Sequence, residues 1–137
     1  MKKLLSATQL IDSLQQAARQ DAVVSGVLTS NKCPWCVALE REQLLPRMRA
    51  PNLPKFIVLA FDVEDRRLIS FPDGSQRTAR EWGTLYSMKL TPTLVMLDAQ
   101  AKPLAPPLVG YGSQDFYGAY LEEQIQNARL YWQNRRS

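Results

Sequence analysis

Two cysteines are the only thiols in the 137-residue chain, and they stand together in Cys33-Pro34-Trp35-Cys36. Thiols at this spacing, within one helical turn, can close a disulfide with little backbone movement. The same pair could instead be half of a metal site shared between two chains, or two small buried hydrophobes. Two Cys exclude a disulfide-dense scaffold and a four-cysteine zinc site within one chain. The chain contains no His, which removes His-based metal centres, nucleophilic triads with a His base and imidazole proton relays. Whatever the two cysteines do, they do together.

The elements around the pair assign it unequal roles. Residues 22–29, Ala-Val-Val-Ser-Gly-Val-Leu-Thr, are rich in β-branched side chains and read as a buried strand. Ser30, Asn31 and Lys32 are loop-like, and Cys33 then opens a run with Leu39, Leu44, Leu45 and Met48 that reads as the second helix. Cys33 falls at the start of that helix, where free N–H groups and the positive dipole end favour a thiolate, and Lys32 can add favourable charge. Pro34 suits the first turn because its missing N–H would have had no partner there. Cys36, one turn deeper, should be less accessible. In a thiol-disulfide exchange Cys33 would then attack, or be attacked, and Cys36 would resolve the mixed disulfide.

The remaining elements must hold this turn in place. Leu10, Ile11, Leu14, Ala17 and Ala18 recur at helical spacing behind a Ser6/Gln9 capping box, predicting a helix over 7–20. A proline-marked loop (Pro46, Pro51, Pro54) precedes Phe56–Phe61, a second buried strand. Leu68 to Phe71, followed by Pro72-Asp73-Gly74-Ser75, reads as a short extended piece and turn within an insertion over 65–77. Thr78 and Glu81 form another capping box ahead of Trp82, Leu85 and Tyr86, predicting a third helix ending near Met88. Thr93–Asp98 reads as a strand, turning through 99–102 to an antiparallel edge over Leu104–Val109 that tolerates Pro103, Pro106 and Pro107. Ser113 can cap a long last helix with the apolar stripe Phe116, Tyr117, Tyr120, Leu121, Ile125, Ala128 and Trp132. The order α-β-α-β-α-β-β-α implies an α/β fold, a mixed four- to five-stranded sheet covered by helices on both faces, in one domain over 1–137.

Composition bounds the partners. At 45% hydrophobic and 22% charged residues, without a long apolar run, the chain is expected to be globular with no stable membrane insertion. The formal charge of +4, with Lys2, Lys3, Arg135 and Arg136 at the ends, comes without basic runs interleaved with aromatics, so no nucleic-acid partner is expected. The opening Met1-Lys2-Lys3-Leu4-Leu5 imitates a secretory signal, but Ser6, Thr8, Gln9 and Asp12 interrupt the apolar stretch one requires. No intact signal is read, and a mature fragment and a cytoplasmic protein both fit.

With Cys33-Pro34-Trp35-Cys36 after a strand, Thr91-Pro92-Thr93 before the third main strand and Gly110 ahead of the last helix, the sequence resembles the thioredoxin-like thiol-disulfide oxidoreductases over residues 22 to 132. The resemblance implies a thioredoxin-like fold in which Pro92 is cis beside the dithiol, and Thr91 pairs its backbone with a substrate strand. The continuation Cys36-Val-Ala-Leu-Glu40 and the Asp73-Gly74 excursion look most like periplasmic thioredoxin-related proteins, including those of bacterial sulfur-oxidation systems. That likeness implies a periplasmic reductase that draws electrons from a membrane-associated thiol donor and acts on protein thiol and disulfide substrates as a monomer without organic cofactor or metal. The sequence departs from ordinary thioredoxin at three points: Cys-Pro-Trp-Cys replaces Cys-Gly-Pro-Cys, Lys32 stands where a Trp usually precedes the first Cys, and Val27 stands where a buried Asp is usual.

Several residues have two readings. Trp35 could meet a partner protein or pack on its own loop, and Pro34 shares its surface. Glu40, one turn past Cys36, could tune that thiol or be a solvated helix residue. Asp62 ends a strand and reads as a turn or cap residue. The rival to an oxidoreductase is a thioredoxin-fold adaptor that holds a partner through Trp35 and Thr91, with an incidental dithiol.

Overall fold

Two strands made almost wholly of apolar residues run parallel through the middle of the molecule. They are β2 (Ala22–Thr29) and β3 (Lys55–Asp62), in register from Ala22 opposite Lys55 to Thr29 opposite Asp62. Such strands must be covered on both faces, and the rest of the chain does this. The computed structural model describes residues 4–51, 54–112 and 116–136. β1 (Leu5–Ser6), a 3-10 turn (Ala7–Gln9) and α1 (Leu10–Arg19) precede β2. Between β2 and β3 come α2 (Pro34–Leu39), a π-turn (Glu40–Leu44) and α3 (Leu45–Arg49). After β3 follow the small hairpin β4 (Ile69–Ser70) and β5 (Gln76–Arg77), α4 (Ala79–Leu85), β6 (Thr93–Met96), β7 (Leu108–Val109) and α5 (Tyr117–Arg136).

The mixed sheet has the order β1-β3-β2-β6-β7. β1 adds to β3 in parallel, β6 runs antiparallel to β2 with Val95 opposite Gly26, and β7 runs antiparallel to β6 with Val109 opposite Thr93. Helices cover both faces. On one, Trp82 of α4 stacks on Phe61 of β3, with ring centroids 3.7 Å apart. On the other, Arg47 of α3 reaches Glu122 of α5 at 2.7 Å. α5 is fixed to the entry of β2 by Arg129, whose Nε and Nη2 donate to the two Asp21 carboxylate oxygens at 3.0 and 2.5 Å.

Four details differ from the sequence reading. β1 occupies positions read as the approach to a helix; a two-residue strand is too short to show a period-2 pattern. Ser6 Oγ accepts the Thr8 N–H at 3.2 Å and caps a 3-10 turn, so the first α-helix starts at Leu10 rather than at position 7. Pro46 lies in α3 and not in a loop: the preceding π-turn places it in the first turn of a new helical segment, where the missing N–H costs little. The expected edge strand shrinks to Leu108–Val109 plus one bridge between Leu97 and Pro103, because the prolines remove ladder donors. In α5, Tyr117, Leu121, Ile125, Ala128 and Trp132 are buried, whereas Phe116, just ahead of it, and Tyr120 are exposed. The cap expected at Ser113 lies outside the described residues.

Gly26 is required by the packing above β2. A Cβ there would stand 2.7 Å from the Phe61 ring and 3.1 Å from Trp82, two side chains clamped by stacking on each other. Gly26→Ala is therefore expected to lower stability by about 1–3 kcal/mol through overpacking, read as a lower urea midpoint with an unchanged m-value.

Candidate functional site

The turn between β2 and α2 places the dithiol at the end of the sheet. Cys33 is the residue before the helix, with an extended backbone (φ −106°, ψ 108°), and its Sγ accepts the Cys36 N–H at 3.2 Å. A sulfur thus fills the capping position that a Ser or Asp oxygen usually fills. Pro34 follows in the first turn, as its lack of an N–H allows. Both cysteines are free thiols; Cys33 is half-buried, while Cys36 is buried at 5% exposure.

The loop before β6 closes over this turn. Cys33 Sγ lies 3.5 Å from the Thr91 carbonyl oxygen, to which the thiol donates. The Thr91–Pro92 peptide bond is cis. Thr91 is half-buried and Pro92 buried. The loop is tied down on each side: Thr93 Oγ1 donates to Leu90 O at 2.6 Å, and Gly110 N–H donates to Pro92 O at 2.7 Å.

The two thiols are pushed in opposite directions. Burial alone would raise Cys33, but hydrogen bonds to its sulfur from the Cys36 thiol, the Thr91 side chain and the N–H groups of Cys36 and Trp35 outweigh it and hold Cys33 below the ordinary cysteine value. Cys36 is pushed up, first by burial and then by the Cys33 sulfur, which accepts its proton; Thr29, Ser30 and Thr91 offset this only in part. The reactive anion therefore belongs at position 33 and the retained proton at 36.

The other residues singled out in the sequence are distributed around this centre. Pro34 and Trp35 are exposed, Trp35 at 53%, and two further apolar side chains, Leu90 next to Thr91 in sequence and Val109 opposite Thr93, are exposed as well. Lys32 is exposed, and the groups that lower Cys33 are hydrogen-bond donors rather than this cation. Glu40 is half-buried and lines, with Thr29, Ser30, Cys36, Ala60 and Asp62, an open cleft of about 370 Å³ behind the resolving thiol. It is not among the groups that shift Cys36. Val27 is buried opposite Ala60, so the position beneath the dithiol where a buried acid is usual is apolar on both strands. Among the described residues no three or more His, Cys, Asp and Glu side chains are placed to hold a metal ion. Sequence reasoning did not single out Leu90 and Val109; the one signal was their closeness in sequence to Thr91 and Gly110.

Comparison with known proteins agrees with this fold. The sequence profile described as Thioredoxin-like domain matches residues 10–125. None of the curated proteins matches the chain. Among solved structures, a thioredoxin-fold protein from Helicobacter pylori is 16% identical over 84% of each chain, with a TM-score of 0.51. Thioredoxin f2 of Chlamydomonas reinhardtii is 16% identical over 90% of this chain and 98% of its own, with a TM-score of 0.56. The C-terminal domain of Neisseria meningitidis DsbD, in its oxidised form, is 12% identical over 90% of this chain and 99% of its own, with a TM-score of 0.56.

The opposed shifts make a pH prediction. The rate of Cys33 alkylation by iodoacetamide should rise with pH through a midpoint below that of free cysteine. Because the Cys36 thiol is the foremost donor stabilising the Cys33 thiolate, Cys36→Ala should move that midpoint upward. An unmoved midpoint would show that the Thr91 side chain and the backbone N–H groups hold the anion without the second thiol.

Proposed function

The chain belongs to the thioredoxin-like domain family, and we propose that it is a thiol-disulfide oxidoreductase that exchanges disulfides with protein substrates. The observation that carries this reading is the asymmetry of the pair: a half-buried Cys33 stabilised as thiolate, backed by a buried Cys36 that keeps its proton. In the reducing direction the Cys33 thiolate attacks one sulfur of a substrate disulfide. A mixed disulfide forms, and the other substrate sulfur leaves as a thiolate that takes up a proton. With Cys33 bonded to substrate, its sulfur no longer accepts the Cys36 proton, so the second cause that raised Cys36 disappears. Cys36 then ionises more easily and attacks Cys33 Sγ. The Cys33–Cys36 disulfide closes, the substrate leaves as a dithiol, and two electrons have passed to it.

With Val27 apolar, the Cys36 proton has no buried carboxylate to receive it. The cleft that opens from Cys36 toward Glu40 and Asp62 gives it a path to solvent. Substrate would lie along Thr91 and Pro92 with Pro34 and Trp35 beside it, which is the role the family resemblance implies for those positions. The same resemblance supports the finer reading: a periplasmic, monomeric reductase related to those of sulfur-oxidation systems, drawing electrons from a membrane-associated thiol donor. Among the described residues no helix is long and apolar enough to cross a membrane. The exposed Trp35, Leu90 and Val109 equally suit an adaptor that binds partners without turnover, and one assay separates the two.

That assay is reduction of insulin disulfides by dithiothreitol. The protein should accelerate it, Cys33→Ser should run at the rate of dithiothreitol alone, and Cys36→Ser should accumulate a mixed disulfide through Cys33. A wild-type rate equal to that of Cys33→Ser would leave the adaptor. A glutathione titration then reads direction: a potential near the thioredoxin value of about −270 mV fits a reductase, and one near about −120 mV overturns that direction.

A further inference from the structure

Cys33 and the Thr91–Pro92 wall belong to segments far apart in sequence, yet they meet at 3.5 Å. A second set of contacts joins the same two segments at a distance from the sulfur. Gly110, whose φ of +75° turns the chain out of β7, donates its N–H to Pro92 O at 2.7 Å. The next residue, Tyr111, is buried at 5% exposure, and its hydroxyl donates to Glu42 Oε1 at 2.7 Å. Glu42 sits in the π-turn of the helical run that begins at Cys33. Gln43, also in that turn, donates from Nε2 to the Tyr111 oxygen at 3.4 Å. Gln43 is itself held by Arg47, which donates to its side-chain oxygen at 2.8 Å and pairs with Glu122 of α5 at 2.7 Å. The Tyr111 ring is braced edge-on against Tyr117, with centroids 5.0 Å apart.

The contacts close a ring: Cys33 to Thr91–Pro92, Pro92 to Gly110, Tyr111 to Glu42, and back along the helix to Cys33. Within it the loop and the helix are joined by a bond to the reacting sulfur, which must be given up when that sulfur bonds to substrate, and by the bonds of the Tyr111 hydroxyl to Glu42 and Gln43, which chemistry leaves intact. π-turns recur at functional sites because they re-aim side chains from an otherwise regular helix. We propose that the Tyr111–Glu42 hydrogen bond is a positioning latch. It keeps the Thr91–Pro92 wall at the spacing from Cys33 that an extended protein substrate needs, and so governs substrate capture rather than the reactivity of the sulfur. The proposal rests on the disulfide exchange proposed above. Tyr111 and Glu42 are positioning residues: neither touches the dithiol in any contact described here.

The test compares Tyr111→Phe, Glu42→Ala and Glu42→Gln with the wild type, using a protein disulfide as substrate. Losing one charge-assisted hydrogen bond should raise KM about five- to tenfold in Tyr111→Phe and Glu42→Ala, with kcat within about twofold. Glu42→Gln, which keeps an oxygen acceptor for the Tyr111 hydroxyl, should restore KM. Iodoacetamide should label Cys33 at the wild-type rate in all three, since nothing bonded to the sulfur changes. Arg129→Ala, which removes the Arg129–Asp21 pair at the entry of β2, outside this network, controls for lost stability and should leave KM unchanged. Amide hydrogen exchange at Gly110 supplies a readout independent of turnover and should quicken in Tyr111→Phe and Glu42→Ala. Glu42 is on the surface, so its variants remain informative if Tyr111→Phe folds poorly. An unchanged KM in an active Tyr111→Phe, or an equal rise in Arg129→Ala, overturns the latch. If the wild type exchanges no disulfides, the functional reading fails instead, and unchanged Gly110 exchange would then overturn the latch by itself.

Discussion

A helix that begins on a sulfur is the constraint from which the rest of this site follows. The first N–H groups of any helix lack intrahelical partners and usually receive a side-chain oxygen. Here Cys33 Sγ takes the Cys36 N–H at 3.2 Å. The bond does two things at once. It ends the backbone of β2 in the geometry a helix needs, and it points fixed positive ends of N–H dipoles at the atom that must carry negative charge. The donors are backbone groups already placed by the fold, so they do not reorganise when the charge appears. Replacing the sulfur therefore alters a helix start as well as a nucleophile.

The second cysteine works by competing for the same charge. Its thiol donates to Cys33, which lowers one group and raises the other, so the two titrations are one coupled event rather than two independent ones. Burial strengthens the bias because it penalises the anion at the more enclosed position. A buried acid beneath the pair would add a third partner to this competition. Val27 and Ala60, side by side on β2 and β3, leave that place apolar. Cys36 instead lines an open cleft with Glu40 and Asp62 on its wall, and under the proposed exchange its proton would leave by that route. A solvated path needs no matched pKa partner, which makes the identity of the lining carboxylates less critical than that of a buried acid.

How much of this could be read from the residues depends on how local each signal is. The dithiol turn was legible because Cys33, Pro34 and the preceding apolar run are contiguous, and each has a reason of its own to be there. The same holds for α4: Thr78 accepts the Glu81 N–H and Glu81 accepts the Thr78 N–H, a reciprocal pair written within four residues. The two central strands declared themselves through unbroken apolar content. The π-turn did not, since Glu40-Arg-Glu-Gln-Leu44 has the composition of an ordinary exposed helix and the extra residue shows only in the hydrogen bonds. Without it Pro46 reads as a helix breaker. β1 is invisible for a related reason: Leu5 and Ser6 become a strand only because β3 offers them an edge. Tyr111 and Glu42 lie 69 positions apart, and nothing in either neighbourhood names the other.

The same distinction between local and long-range causes bears on charge. Lys32, next to Cys33 in sequence, is the obvious cation to credit with stabilising a thiolate, and composition alone would favour it. In the fold its side chain is exposed, where water screens a single charge and a flexible stem spreads its position. A hydrogen-bond donor held by the fold, such as the Cys36 N–H 3.2 Å from the sulfur, suffers neither loss. A short-range, oriented contact outweighs a nearby but solvated charge, so the thiolate is set by how the loop at Thr91 and the turn at Trp35 and Cys36 are folded.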